Sequence, residues 1–118
     1  MGFNDEFRER TKSFTLRVIK LYRSLPKTEE AKIIGRQLLR SGCSVGANFR
    51  AATRARSSAE FYSKLSIVVE EADECAFWID LLIESGIMPE KKLNSLYNEA
   101  LEITKITAVS RKTAKSSK

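Results

Sequence analysis

One hydrophobic repeat constrains the fold of this chain more than any other feature of its sequence. Between residues 58 and 84 the apolar positions alternate steps of four and three without a break, at Phe61, Leu65, Val68, Ala72, Cys75, Ile79 and Leu82. A second row at seven-residue steps lies beside the first, at Tyr62, Val69, Ala76 and Ile83. A sustained repeat of 3.5 residues requires shallow, left-handed crossings against neighbouring helices. The segment is therefore predicted to be one helix of a bundle.

Capping and breaking residues place this helix and three others. Ser57 and Glu60 form a capping-box pattern at its start, and Gly86 is the expected stop at its end. Pro89 suits the first turn of a fourth helix, because its missing N–H would have no partner there. A first helix is expected from about Asp5 to Ser24, ending before Pro26. Thr28 is the predicted N-cap of the second helix.

The four segments predict an all-α fold. Four amphipathic helices with short connections and no strand pattern favour an antiparallel up-down-up-down four-helix bundle. The 118 residues are enough for one domain with a sizeable core. We predict that the bundle spans residues 1–109. Residues 110–118 are basic and nearly devoid of apolar side chains, so we predict a disordered C-terminal tail.

Small residues interrupt the second helix at one place. Gly42 and Gly46 lie four residues apart, and each costs about 1 kcal/mol of helix stability relative to alanine. Small residues at this spacing let another helix backbone approach closely. Asn48 beside them is a candidate buried amide that caps a kink or bridges to a neighbouring helix. We therefore interpret Gly42, Gly46 and Asn48, with Ser57 and Glu60, as structural motif residues.

The composition excludes several classes of protein. No run approaches the roughly 18 apolar residues of a transmembrane helix. The first residues lack the apolar core of a secretory signal, so we expect a cytoplasmic protein without membrane association. Cys43 and Cys75 are widely separated and lie among apolar residues. We expect both to be reduced core residues rather than disulfide partners or metal ligands.

Catalytic chemistry has little support in the sequence. There is no histidine, so the commonest general base and metal ligand is absent, and so is the Glu-x-x-His pair of di-iron bundles. No phosphate-binding glycine loop is present. The acidic cluster from Glu70 to Glu74 would spread around a helix, which favours exposure or pairing with arginines over metal binding. We expect no enzyme, no catalytic residue, no metal and no cofactor.

Charge is distributed unevenly along the chain. Residues 26–57 carry a net charge of +5, whereas residues 58–86 carry −6. Packing of consecutive antiparallel helices would bring these charges together, within a subunit or between subunits. The basic residues could instead contact nucleic-acid phosphate, which a sequence pI of about 9.5 also favours. The candidate phosphate contacts are Arg36, Arg40, Arg50, Arg54, Arg111, Lys112 and Lys115.

Three hydrophobic residues of the third helix lie outside both heptad rows. Ile67 and Leu81 share another heptad position with Glu74 between them, and Trp78 lies on a further face. A small bundle can bury a wide stripe, which would account for all three. Alternatively, they form an oligomer interface, because contiguous exposed apolar patches usually have a partner.

Residues 40–86 resemble a known bacterial family. The similarity lies in Arg40–Gly42, Ser44–Arg50, Ala52, Arg54–Ser57, Glu60–Phe61, Lys64–Ile67, Glu70–Ala72, Glu74, Trp78–Ile79, Leu81–Leu82 and Ser85–Gly86. These residues are similar to the motif of four-helix bundle proteins first associated with intervening sequences in 23S ribosomal RNA genes. In helix number and loop placement the resemblance extends over nearly the whole chain. Ala51 departs from the motif, which usually has an acidic residue there.

The resemblance implies an antiparallel four-helix bundle that assembles into a ring-like homopentamer. It also implies relatedness to the accessory proteins of diversity-generating retroelements, which are basic pentameric bundles that bind nucleic acid and a reverse transcriptase. The expected partners are thus other copies of this chain, RNA or DNA, and a protein such as a reverse transcriptase.

Two functional hypotheses remain open from the sequence. In the first, the protein is a basic oligomeric module that binds nucleic acid through the arginines named above. In the second, it is a structural or adaptor oligomer that presents its surface to another protein, and its charges serve solubility and subunit register.

Overall fold

The chain folds into four consecutive α-helices in a computed structural model that describes the backbone of residues 2–116 and the side chains as far as residue 114. The helices are α1 (Phe3–Ser24), α2 (Glu29–Thr53), α3 (Ser58–Glu84) and α4 (Glu90–Ser116). No strand occurs in the described residues. The bundle measures 48 × 24 × 19 Å. Its longest dimension is close to the length of one 27-residue helix, roughly 40 Å. The predicted all-α class is confirmed.

Neighbouring helices run antiparallel, and consecutive ones pack against each other. Thr15 contacts Gly42 and Tyr22 contacts Gly35, so α2 passes α1 in the reverse direction. The connections between consecutive helices are only a few residues long. The seam between α1 and α4 is less extensive, but Arg10 braces it by donating two hydrogen bonds to the Glu99 carboxylate, at 2.7 and 2.8 Å. This arrangement is the predicted four-helix bundle.

The buried face of each helix follows its sequence repeat. The first row of α3 is fully buried from Leu65 to Leu82, and it shares one hydrophobic core with Phe14 and Val18 of α1 and with Leu38 and Phe49 of α2. Buried side-chain hydroxyls donate to carbonyls of their own helix, as Thr107 does to Ile103 at 2.6 Å. Within the described part of the chain, no buried side-chain nitrogen or oxygen lacks a hydrogen-bond partner.

The predicted caps are present with one difference. Thr28 accepts a hydrogen bond from the Ala31 N–H, and Ser57 accepts one from the Glu60 N–H at 3.1 Å. In a complete capping box the Glu60 carboxylate would accept a hydrogen bond from the backbone N–H of Ser57. Here it faces the Arg56 guanidinium instead, at 3.5 Å. Gly86 ends α3 with φ of +78°, which is the left-handed conformation that favours glycine.

α4 continues through residues 110–116, where the sequence predicted the start of a disordered tail. Ala114 follows the core residues Leu96, Ala100, Ile103 and Thr107 at helical spacing and is itself buried. Buried Ala114, together with Arg111 packed over the Tyr62 ring, keeps the last turns on the bundle despite the surrounding charge. Residues 117 and 118 of the expected tail lie outside the described residues.

Cys43 contradicts the expectation that both cysteines lie in the core. Cys75 is fully buried and donates to the Ser41 hydroxyl at 3.3 Å, but Cys43 is exposed. The two residues before Cys43 are buried, and the rotation of about 100° per residue carries Cys43 to the opposite side of α2. No disulfide joins them.

Candidate nucleic-acid interface

A ridge of arginines runs along the solvent side of α2. Successive spacings of four, ten and four residues separate Arg36, Arg40, Arg50 and Arg54, and at about 100° per residue these spacings place all four on one side of the helix. The core residues of α2 lie on the opposite side, and all four arginines are exposed. The structure thus places four of the candidate phosphate contacts on one side of α2, three within the helix and Arg54 at its C-cap.

Arg40 differs from the other three because it is already paired with α3. Its guanidinium contacts the Glu71 carboxylate at 3.1 Å and the Glu74 carboxylate. Desolvation lowers the pKa of Arg40, but the attraction and hydrogen bonds of the two carboxylates outweigh it and raise the pKa above its ordinary value. Glu74 also accepts a hydrogen bond from the Trp78 indole N–H at 2.9 Å. This cluster is charge neutralisation between consecutive helices, one of the two alternatives that the sequence left open for these basic residues.

A basic groove lies between α1 and α2 near the start of α1. Arg8 and Lys12 of α1 and Arg50 of α2 line a volume of about 490 Å³, together with Glu9, Thr15, Gly46 and Ala47. Arg8 has a partly exposed partner, Asp5, at 3.4 Å. Three cations and one lining carboxylate leave the groove with net positive charge, which suits an anionic ligand. Arg8 and Lys12 were not among the predicted site residues, because their proximity to Arg50 depends on the packing of α1 against α2.

A smaller basic depression lies at the other end of the same helix pair. Lys27, Lys32 and Arg36 line about 120 Å³ beside Tyr22 and Pro26. Arg36 and Arg50 are fourteen residues apart on α2, which corresponds to about 21 Å at 1.5 Å per residue. The α1–α2 face therefore carries two separate groups of cations rather than one patch.

The basic residues at the end of α4 are in different positions. Arg111 is half-buried, with its guanidinium 5.8 Å from the centre of the Tyr62 ring and a hydrogen bond of 3.5 Å to the Ser66 hydroxyl. It therefore packs against α3. Lys112 is exposed, and the side chain of Lys115 lies outside the described residues. The structure does not bring these residues into the groove that Arg50 lines.

The glycines of α2 form its contact surface with α1. A Cβ at Gly42 would lie 2.7 Å from Val18 Cγ1, and one at Gly46 would lie 2.5 Å from Thr15 Oγ1. Thr15 also donates to the Gly42 carbonyl at 2.7 Å. The predicted close approach is confirmed, and Gly35 extends it, with an added Cβ 2.7 Å from Leu25 Cδ1. The seven-residue spacing of Gly35 and Gly42 was the sequence signal for this third glycine.

Asn48 makes its hydrogen bonds within α2. Its side-chain amide donates to the Ser44 carbonyl at 3.0 Å and to the Ser44 hydroxyl at 2.9 Å. The residue is half-buried. The expectation of a largely buried amide is thus met in part, and its observed hydrogen bonds do not bridge to another helix.

The outer surface of α3 is rich in apolar side chains. Ile67, Trp78 and Leu81, the predicted interface residues, are all half-buried in the single chain. Trp78 also packs against the edge of the core. Phe77, which is not among the predicted interface residues, is 53% exposed and lies edge-on to Trp78 with ring centres 4.9 Å apart. The sequence does mark Phe77 as a candidate surface residue, because it is an aromatic residue of α3 outside both heptad rows.

Neither a metal centre nor a membrane span emerges from the described residues. Within residues 2–116 no group of three or more His, Cys, Asp or Glu side chains is arranged to hold a metal ion. None of the four helices, as far as they are described, combines the length and apolarity needed to cross a bilayer.

The chain belongs to the 23S rRNA-intervening sequence protein family, whose family model matches residues 4–108. A solved structure with the same fold is a protein of unknown function from the S23 ribosomal protein family of Bacteroides thetaiotaomicron VPI-5482, determined at 1.70 Å resolution. The two chains share 33% sequence identity with a TM-score of 0.85, over 92% of this chain and 97% of the other. No curated protein shows a significant match. The family resemblance predicted from residues 40–86 is confirmed.

Proposed function

We propose that this member of the 23S rRNA-intervening sequence protein family is a homo-oligomeric protein that binds nucleic acid through the α1–α2 face. The observation that carries the proposal is the basic groove between these helices, where Arg8, Lys12 and Arg50 meet. Cations clustered on one face are the electrostatic footprint of phosphate binding.

The pairing of the arginines supports this assignment. Among the described residues, Arg36, Arg50 and Arg54 have no carboxylate within 4.0 Å, whereas Arg40 has two. An exposed cation without a partner can contact phosphate without first breaking an ion pair. We therefore assign phosphate contact to Arg36, Arg50, Arg54 and the groove residue Lys12. Arg8 would join them by exchanging its partly exposed partner Asp5 for a phosphate. Arg40 and Arg111 are assigned to structural contacts with α3.

Self-association is the second part of the proposal. Half-buried Ile67 and Leu81 and exposed Phe77 give the outer surface of α3 an apolar character that a partner subunit would cover. The ring-like pentamer remains an inference from the family resemblance. Such a ring would repeat the basic face in every subunit, so that one nucleic-acid molecule could contact several faces and gain avidity.

The proposed role requires no catalysis. The chain contains no histidine, and binding phosphate through exposed cations needs neither a nucleophile nor a metal. We place the protein in the cytoplasm, where nucleic acid is available and the two free thiols would stay reduced.

Fluorescence anisotropy with labelled duplex RNA and DNA at two salt concentrations tests the phosphate contacts. We expect affinity to fall steeply with salt, with a slope of about −0.9 for each phosphate contacted on B-DNA. Arg50→Gln should weaken binding and reduce the magnitude of that slope. Arg40→Gln is the matched control on the same helix and should leave both unchanged. If wild-type protein binds neither duplex at low salt, the proposal is refuted.

The alternative is an adaptor oligomer that binds another protein and no nucleic acid. The exposed ring of Phe77 beside Trp78 favours it, because aromatic side chains are enriched at protein–protein contacts. Light scattering with and without RNA separates the two functions. An oligomer whose mass RNA leaves unchanged, together with no anisotropy change, would support the adaptor.

A further inference from the structure

We propose that a cleft at one end of the bundle binds an unpaired base of the nucleic acid whose phosphates lie on the α1–α2 face. This inference rests on the proposed function, and it specifies the ligand as nucleic acid with a single-stranded segment. A duplex alone would occupy only the basic groove.

The cleft forms where the start of α1, the α2–α3 connection and the last turns of α4 meet. Its volume is about 750 Å³, which lies within the range of about 300–1,000 Å³ typical of sites for small molecules. The side chains that supply its chemistry are Phe3, Thr53, Arg56, Phe61, Ser110 and Thr113. No carboxylate is among the described lining residues, so none of them would repel an anionic or electron-rich ligand.

An anchored aromatic ring provides a stacking surface. Phe3 lies nearly parallel to Phe7, with ring centres 5.4 Å apart and an angle of 12°. Phe7 is buried and packs edge-on against buried Phe49 at 4.9 Å. Phe3 is nevertheless 50% exposed. One face of its ring is therefore supported by the core while the rest is accessible, as in the aromatic platforms on which single-stranded bases stack.

Hydroxyl groups around the ring supply acceptors for the edge of a base. Thr53 donates its hydrogen to the Arg50 carbonyl at 2.6 Å, Ser110 to Ile106 at 3.0 Å and Thr113 to Val109 at 3.2 Å. Because these hydrogens are used within their helices, the oxygens offer lone pairs to a ligand. Every nucleobase carries at least one N–H group on its Watson–Crick edge. The cleft should therefore accept different bases with little discrimination.

The cleft adjoins the basic groove. Thr53, which lines the cleft, follows Arg50, which lines the groove, by three residues, or about 4.5 Å along α2. A strand whose phosphate contacts Arg50 could therefore place a neighbouring base against Phe3. The charge that attracts the backbone and the ring that receives the base lie at the same end of the bundle, which favours nucleic acid over an uncharged aromatic ligand.

The test compares a blunt duplex RNA, the same duplex with a short unpaired overhang, and the overhang version with abasic sites in place of its bases. Wild-type protein should bind the overhang about tenfold more tightly than the blunt duplex, within the range for stacking one base on an aromatic side chain. The abasic overhang should lose this gain. Phe3→Ala and Phe3→Leu should lose it too, whereas Phe3→Tyr keeps the ring and should retain it.

Leu16→Ala is the matched control, because Leu16 is an equally exposed apolar residue of α1 outside the cleft. It should leave the overhang gain intact. Equal wild-type affinity for blunt and overhang probes would overturn the inference while leaving the proposed function in place. Failure to bind any probe at low salt would refute the proposed function itself. If Phe3→Ala changes the oligomer mass but not the overhang gain, the cleft holds a segment of another subunit and the inference is wrong.

Discussion

Replacing Gly42 by alanine tests whether the glycines of α2 exist for close packing against α1. The new methyl group would lie 2.7 Å from Val18 Cγ1 and 3.0 Å from both Val18 Cβ and Cγ2. Val18 is fully buried and β-branched, so it cannot rotate away, and the helices must move apart. The Thr15 hydrogen bond to the Gly42 carbonyl would lengthen at the same time.

The magnitude follows from three opposing contributions. Alanine improves helix propensity by about 1 kcal/mol over glycine. Overpacking a tight site costs about 1–3 kcal/mol, and weakening the hydrogen bond from Thr15 costs about 1 kcal/mol more. We therefore expect Gly42→Ala to lower the free energy of unfolding by about 1–3 kcal/mol. At roughly 4 °C per kcal/mol for a domain of this size, Tm should fall by about 4–12 °C.

Urea unfolding followed by circular dichroism measures this loss. The transition should be recorded at several protein concentrations, since self-association would add stability that depends on concentration. Gly35→Ala is the matched control, because its closest contact is Cδ1 of Leu25, the flexible end of a side chain. It should change stability by less than about 1 kcal/mol. A Gly42→Ala protein at least as stable as wild type would refute the close-packing argument.

Three further predictions concern residues on other parts of the fold. Gly46→Leu should separate α1 from α2 and lower the free energy of unfolding by more than about 2 kcal/mol in the same urea assay. Ala47→Leu, on the exposed side of α2, should lower it by less than about 1 kcal/mol. Equal losses for the two variants would show that the Gly46 site is not tightly packed. Burial raises the pKa of the Cys75 thiol from 9.0 to about 12. Because the unfolded state loses this proton at lower pH than the folded state, the free energy of unfolding should fall as pH rises from about 9 toward 12. Cys75→Ala should flatten that part of the stability–pH profile, and an unchanged slope would contradict the assignment. Ser57→Ala should cost about 0.5–2 kcal/mol by removing the N-cap of α3, measurable as a lower thermal midpoint, and Ser58→Ala beside it should cost less.

The features that the sequence predicted well depend on local spacing. The heptad row of α3, the caps at Thr28 and Ser57 and the stop at Gly86 are each set by residues within one or two turns of one another. The errors have a local origin too. Charge density near residue 110 suggested disorder, but buried Ala114 and the packing of Arg111 over Tyr62 hold the end of α4 against the bundle. The apolar neighbours of Cys43 suggested burial, but helical rotation placed it outside.

The candidate site could be predicted only in part, because it depends on contacts between helices. Spacing alone places Arg36, Arg40, Arg50 and Arg54 on one side of α2. It cannot distinguish Arg40, which is turned toward α3 and meets Glu71 and Glu74. The other arginines lie where no carboxylate of a described residue reaches them. The position of each arginine relative to the acidic helix therefore decides which charges are structural and which are available.

The same packing that stabilises α2 also creates the basic groove. The glycines allow α1 to approach so closely that Gly46 and Thr15 form part of the groove lining between the cations of the two helices. Like charges held together in this way repel one another, and a bound anion would relieve that repulsion. Larger residues at the glycine positions would widen the spacing and disperse the cations. The small-residue motif of α2 is thus part of the proposed binding site as well as of the fold, although none of its glycines carries a charge.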